Sequence, residues 1–241
     1  MALKIILCAL FGYALGTVNP AYIIGRLRGF DIRKKGSRNA GASNALITMG
    51  KWVGIFSAVF DILKASAAYW LAPVIFKNFP YAAAIAAAAA ILGHIFPFYM
   101  GFRGGKGTAC LGGLVLAIDW RLLLFLLGIE ITVALITDYL CLVPITASVA
   151  LPLLYGFFGD GGLDWLLLAK GGWISAAIIS VAMLAILIMN ITNIKRMICG
   201  TEMHFSFAWS KDKDAEIARI QANEEKWKQR HATNNSRGDN L

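Results

Sequence analysis

Three short polar stretches hold most of the residues whose types and spacing suit chemistry. The first reads Lys35-Gly36-Ser37-Arg38-Asn39-Ala40-Gly41-Ala42-Ser43-Asn44. Its glycines and small residues let the backbone turn tightly and present successive N–H groups, a concave seat for an oxyanion. The hydroxyl of Ser37 and the amides of Asn39 and Asn44 add neutral hydrogen bonds, while Lys35 and Arg38 add charge. A phosphate suits this seat; an ordinary polar loop is the competing reading.

The second stretch runs from His94 to Thr108 and carries Gly104-Gly105-Lys106-Gly107 just before an apolar helix. Unpaired N–H groups and the positive dipole end at a helix start favour an anion, and Lys106 supplies a counter-charge. The spacing is not that of a Walker A loop, because Met100 and Gly107 stand where that loop needs Gly and Ser or Thr. His94 is either a satisfied helix histidine or a group that moves a proton or orients a neighbour. In the third stretch, Asn190 to Glu202, Asn193 and Arg196 share a helical face and Gly200 ends the helix. Asp61 and Lys64 stand three apart within an apolar stretch and can neutralise each other. Glu130 and Asp138 have no evident partner in the sequence.

The elements that must position these groups follow from composition. The 241 residues are 58% hydrophobic and 15% charged, with a mean hydropathy of +0.64. A soluble domain is nearer half apolar and a quarter charged. One soluble core of this size cannot hide that excess, which excludes a soluble enzyme, a disordered chain and a disulfide-rich secreted module. Cys8, Cys110, Cys141 and Cys199 are scattered singly, so no metal cluster is expected.

The predicted fold is all-α and polytopic, with about seven membrane spans: Leu3–Gly25, Trp52–Phe76, Tyr81–Met100, the short Thr108–Ile118, Leu122–Thr137, Leu142–Phe158 and Trp173–Ile191. The first is read as a span rather than a signal peptide, because its apolar run continues to Gly25. Of the 23 Lys and Arg, eighteen fall on the face that holds the polar stretches and four on the other, with Lys64 inside a span. That split places the N-terminus outside and the C-terminus in the cytoplasm. Residues 1–202 form the membrane domain, and 203–241 form a cytoplasmic tail. Ile217, Ile220 and Trp227, with the Glu224–Lys228 pair, suggest a short amphipathic helix there; a solvated tail is the alternative.

Taken together, the three stretches resemble the membrane-integral glycerol-3-phosphate acyltransferases that use acyl phosphate, the PlsY family. The matching residues are Gly36-Ser37-x-Asn39-x-Gly41-Ala42-x-Asn44, Gly93-His94-x-Phe96-Pro97 with Gly101-Phe102-x-Gly104-Gly105-Lys106-Gly107, and Asn193-Ile194-x-Arg196 with Gly200-x-Glu202. Asp61-x-x-Lys64 also fits, and the similarity covers about residues 3–205. The resemblance implies transfer of an acyl group from acyl phosphate to glycerol 3-phosphate, giving lysophosphatidic acid, without cofactor, metal or nucleic acid. It implies that Lys106 and the amides of Gly104, Gly105 and Gly107 hold a phosphate. Ser37, Asn39 and Asn193 orient substrates, His94 moves a proton or holds the loop, and Gly36, Arg38, Gly41, Asn44, Arg196 and Glu202 complete the binding surface.

Several positions depart from the family's pattern. Arg38 replaces the usual Gly, Ile47 a frequent phosphate-binding Arg, Pro144 a small hydroxyl residue, Asn190 a His and Arg103 a Lys. Arg38 is expected to compensate for the cation missing at Ile47. A paralogue with another acceptor, or a membrane transporter or binder of organic phosphates, is the alternative. A transporter should show related halves with interrupted spans, and none is visible.

Overall fold

The computed structural model describes residues 1–158 and 172–202, with residues 204, 206, 218–220, 222–223 and 225 of the tail. Nine α-helices appear in chain order among them: α1 (Ala2–Thr17), α2 (Pro20–Leu27), α3 (Ala42–Met49), α4 (Lys51–Ile75), α5 (Ala82–Ile95), α6 (Thr108–Ile118), α7 (Trp120–Thr137), α8 (Val143–Phe158) and α9 (Gly172–Ile198). Every expected apolar stretch is helical, so the all-α polytopic reading holds. Four stretches are long and apolar enough to cross a bilayer: α4, α5 extended to Met100, α7 and α9. The pair α1–α2 makes a fifth, while α6 and α8 are shorter apolar helices. Ile217, Glu224, Trp227 and Lys228, on which the tail-helix expectation rested, lie outside the described residues; Ile220 is helical.

The first expected span is two helices meeting at a 45° bend, not one rod. Pro20 cannot donate to a preceding turn, and the residue before it is driven to extended backbone. Asn19 adopts that conformation and caps α2, its Oδ1 accepting from Tyr22 N–H at 2.9 Å. The bend frees the carbonyls of Thr17 and Val18, which inside a bilayer must find other donors. Tyr99 Oη donates to Thr17 O, and Lys64 Nζ donates to Val18 O, both at 2.7 Å. A further departure is α3, a two-turn helix inside what the sequence suggests is a loop.

α5 is the central helix, with eleven of its fourteen residues buried, most of them alanine. Small side chains let neighbouring backbones close in, which is how helices associate in lipid. A Cβ on Gly12 or Gly16 of α1 would lie 2.0 Å from the carbonyl oxygens of Ala86 and Ala90. On the other side, Ile91, Ile95, Leu114, Leu151, Ile179, Met183 and Ile186 knit α5, α6, α8 and α9 together. A smaller cluster of Ala21, Ile32, Ala40, Ala45 and Met100 seats the first polar stretch on the end of the bundle. Outward-facing Leu124, Phe125, Ile131, Leu135, Val181 and Leu184 form apolar surface suited to lipid.

The α1–α5 contact therefore tolerates no added methyl. Gly16→Ala should destabilise the detergent-solubilised protein by about 1–3 kcal/mol, read as a lower melting temperature. Gly128→Ala on α7, where a Cβ meets nothing within 4 Å, should leave it unchanged or slightly raised.

Candidate active site

Below the polar loops lies a buried charge cluster. Lys64 on α4 is 5% exposed, and its ammonium has three protons to donate. Three groups surround it: Val18 O accepts at 2.7 Å, His94 Nδ1 stands at 2.9 Å, and Asp61 Oδ1 forms an ion pair at 2.7 Å while lying 3.3 Å from His94 Nδ1. The expected Asp61–Lys64 neutralisation is present, and His94 on α5 completes it. His94 Nδ1 thus lies between the Lys64 ammonium and the Asp61 carboxylate. Asp61, His94 and Cys110 bring ligand atoms within 4.8 Å of one another. A metal ion there would have to displace the ammonium that already neutralises Asp61.

His94 also shapes the glycine loop. Its carbonyl accepts from Gly105 N–H at 3.1 Å, and the Ile95 carbonyl accepts from Gly104 N–H at 2.9 Å. These are end-of-helix carbonyls that would otherwise lack partners. A Cβ on Gly104 would sit 2.0 Å from His94 O, and one on Gly105 2.0 Å from His94 Nε2. The amides of Gly104 and Gly105, expected to hold a phosphate, are thus engaged in folding the loop onto α5. Gly107, in the left-handed region at φ +85°, then starts α6. The first bond of that helix runs from Leu111 N–H to Gly107 O, so the N–H groups before it face the loop.

Lys106 emerges between these elements and reaches α9. Its Nζ donates to Asn193 Oδ1 at 2.6 Å; Asn193 Nδ2 donates to Asn190 Oδ1 at 3.1 Å, and Asn190 Nδ2 to Ile186 O at 2.9 Å. The relay ends on helix backbone, which fixes both amides and aims the ammonium. Arg196, Glu202 and Cys141 act electrostatically on the same neighbourhood. Burial holds the Lys106 ammonium pKa below the usual lysine range; Glu202 opposes this and Arg196 reinforces it. Burial pushes the Glu202 carboxyl up against the pull of Arg196 and Lys106. The Cys141 thiol is pushed up to about 11, first by burial and then by Glu202. Four residues expected from the sequence, Lys106, Asn193, Arg196 and Glu202, are therefore brought together.

The first polar stretch is built around Asn44, which is 1% exposed. Its Oδ1 accepts from Ser37 N–H at 2.9 Å, and its Nδ2 reaches the carbonyls of Ile32, Lys35 and Asn39 at 2.8–3.0 Å. Asn44, expected on the binding surface, instead holds the loop from inside. Gly36 turns at φ +56°, where a Cβ would strike Asn44 Oδ1. Arg38 occupies the left-handed region at φ +60°, which gives a physical reason for glycine at that position. Gly41 stands at the start of α3. The turn leaves Ser37 and Arg38 exposed and Asn39 half-buried. Among the described residues no hydrogen bond engages the Ser37 hydroxyl, the Arg38 guanidinium or the Asn39 side-chain amide.

Sequence reasoning missed the two residues that dock this stretch. Arg33 pairs with Asp31 at 2.8 Å and donates to the carbonyls of Met100 and Arg103, joining the first stretch to the second. The Arg33 hydrogen bond holds the Asp31 carboxyl below the usual range. Asn19 Nδ2 donates to Ala40 O at 2.8 Å from the α1–α2 bend. The Asn19-Pro20 pair was a legible signal for the bend, whereas Arg33 reads as one cation among many.

Comparison with known proteins matches this architecture. The family model described as glycerol-3-phosphate acyltransferase aligns with residues 6–200. A glycerol-3-phosphate acyltransferase of Chlorobaculum parvum is 32% identical, with 81% of this chain and 94% of that one aligned. The crystal structure of PlsY, an integral membrane glycerol 3-phosphate acyltransferase, in its glycerol 3-phosphate form superposes with a TM-score of 0.71 at 28% identity. That match covers 85% of this chain and 96% of PlsY. The lysophosphatidic acid form gives 0.66 at the same identity, covering 83% and 94%.

Removing one member of the buried cluster leaves the others uncompensated. Asp61→Asn should cost about 3–5 kcal/mol, because it strands the Lys64 ammonium in low dielectric. Adding Lys64→Met should recover part of that loss, so the double variant melts above the single one.

Proposed function

The chain belongs to the glycerol-3-phosphate acyltransferase family, and from that premise we propose that it moves a fatty acyl group from acyl phosphate to glycerol 3-phosphate. A glycerol hydroxyl oxygen forms a bond to the acyl carbonyl carbon as the bond from that carbon to the phosphate oxygen breaks. The hydroxyl proton leaves with the phosphate, and the products are lysophosphatidic acid and inorganic phosphate. Acyl phosphate is already activated, so no covalent enzyme intermediate is needed. The protein's task is to place two anionic substrates and offset their charge.

The observation that carries this reading is the Lys106 ammonium, half-buried on the Asn193–Asn190 relay beside the start of α6. It would hold a phosphate together with the free N–H groups of that helix start, and Arg196 would add a second cation. Asn193 holds Lys106 in place. Ser37, Asn39 and Arg38, with unengaged polar groups on a tightly built turn, would orient the other end of the substrate pair. His94 serves by holding the loop: Nδ1 faces Lys64, and Nε2 lies against the Gly105 backbone. The excess of Lys and Arg at the motif end supports a cytoplasmic site, with the N-terminus outside.

Arg38 bears on the acceptor question. A non-glycine residue at φ +60° carries strain of about 1 kcal/mol, whereas Ile47 is 67% exposed and apolar. An exposed cation held at that strained turn fits the role of the one missing at Ile47.

Purified protein supplied with acyl phosphate and glycerol 3-phosphate should release lysophosphatidic acid, and Lys106→Met should abolish the reaction. Absence of product from the unaltered protein would overturn the reading. Arg38→Gly should raise the melting temperature by relieving strain, yet raise KM for one phosphate substrate about tenfold. An unchanged KM would remove Arg38 from the site.

A further inference from the structure

The tail contributes to the site in a way that the matched family region, ending at residue 200, does not contain. After α9 the chain reverses at Gly200, φ +67°, with Thr201 N–H and Glu202 N–H both donating to Arg196 O at 2.8 and 3.2 Å. The Gly200 and Glu202 carbonyls of that turn accept from the tail. Arg219 spans both: Nη1 donates to Gly200 O at 2.8 Å and Nη2 to Glu202 O at 2.9 Å. Asn223, one helical turn further on, donates its Nδ2 to Gly200 O at 2.9 Å. A Cβ at Gly200 would lie 2.8 Å from Asn223 Nδ2, so the glycine serves this contact as well as the turn.

A second anchor grips the same segment four residues beyond Glu202. Ser206 donates its N–H and its hydroxyl to the two Asp138 carboxylate oxygens, both at 2.7 Å. The His204 ring stands edge-on to Tyr139 with centroids 5.1 Å apart. Glu202 is therefore held between anchors on both sides. Its N–H donates to Arg196 O at 3.2 Å, and its charge acts on Lys106 and Arg196.

We propose that Arg219 and Asn223 are positioning residues for acyl transfer: by clamping the Gly200 and Glu202 carbonyls they fix where the Glu202 carboxylate stands beside Lys106 and Arg196. The inference rests on the acyl-transfer reading above. It also names the substrate concerned. A carboxylate repels phosphate and accepts from hydroxyls, and of the two substrates only glycerol 3-phosphate brings free hydroxyls. Glu202 thus faces the glycerol moiety, and the tail sets the acceptor site rather than the donor site.

The test uses the full chain in detergent, with steady-state constants for both substrates. Arg219→Ala should raise KM for glycerol 3-phosphate about tenfold while leaving kcat and KM for acyl phosphate within about twofold. Arg219→Lys, which keeps the charge but lacks the planar fork that reaches both carbonyls at once, should fall between. Added to Glu202→Gln, Arg219→Ala should have no further effect, because it acts through that carboxylate. If Arg219→Ala prevents folding, Asn223→Ala, which removes one hydrogen bond, should still raise the same KM about threefold. Unchanged constants in both tail variants, an effect that adds fully to Glu202→Gln, or a Glu202→Gln protein with normal KM would each overturn the proposal. Those results leave the acyl-transfer reading intact; only an unaltered protein without transfer activity removes both.

Discussion

The structure depends on one buried ammonium and the three groups that meet it. Lys64 donates to the Val18 carbonyl, pairs its charge with Asp61 and meets His94 Nδ1, and each contact ties down a different part of the chain. A charge within a bilayer is tolerated when it is paired. Here the Asp61 ion pair neutralises it, and the Val18 bond supplies a donor to a carbonyl that the α1–α2 bend left open. The His94 bond fixes the ring against which Gly105 packs. The bend, the helix end and the glycine loop thus share one electrostatic centre.

Above that centre, the site is assembled from side chains that face inward. Asn44 organises one loop, Arg33 joins it to the next, and Asn190 with Asn193 carries Lys106. Each engaged amide leaves a particular neighbour unengaged: Ser37, Arg38 and Asn39 on one turn, and the start of α6 beside Lys106 on the other. Cations and N–H donors fixed in advance need little reorganisation when a doubly charged phosphate arrives, which is how such sites gain their effect.

Much of this was legible in the sequence. Long apolar runs give helices in lipid because no other open structure satisfies the backbone there, and the i,i+3 spacing of Asp61 with Lys64 and of Asn193 with Arg196 set shared faces. Less legible was anything that depends on where a freed carbonyl finds its donor. The apolar run from Leu3 to Gly25 hid the bend at Asn19-Pro20, since hydropathy does not register a missing N–H. Asn44 and the Gly104 and Gly105 amides look like ligand donors in a linear reading, yet helix-end and turn carbonyls claim them first. Asp138 found its partner in Ser206, 68 residues away, a pairing that no local pattern encodes.

The central claim is that Lys106, aimed by Asn193, forms the seat for a substrate phosphate. Calorimetric titration of glycerol 3-phosphate into purified protein, with acyl phosphate absent, tests it most directly. The account predicts that Lys106→Met and Asn193→Leu each weaken binding at least about tenfold, while Lys34→Met, an exposed loop cation, leaves it unchanged. Equal affinity in all four proteins would contradict it.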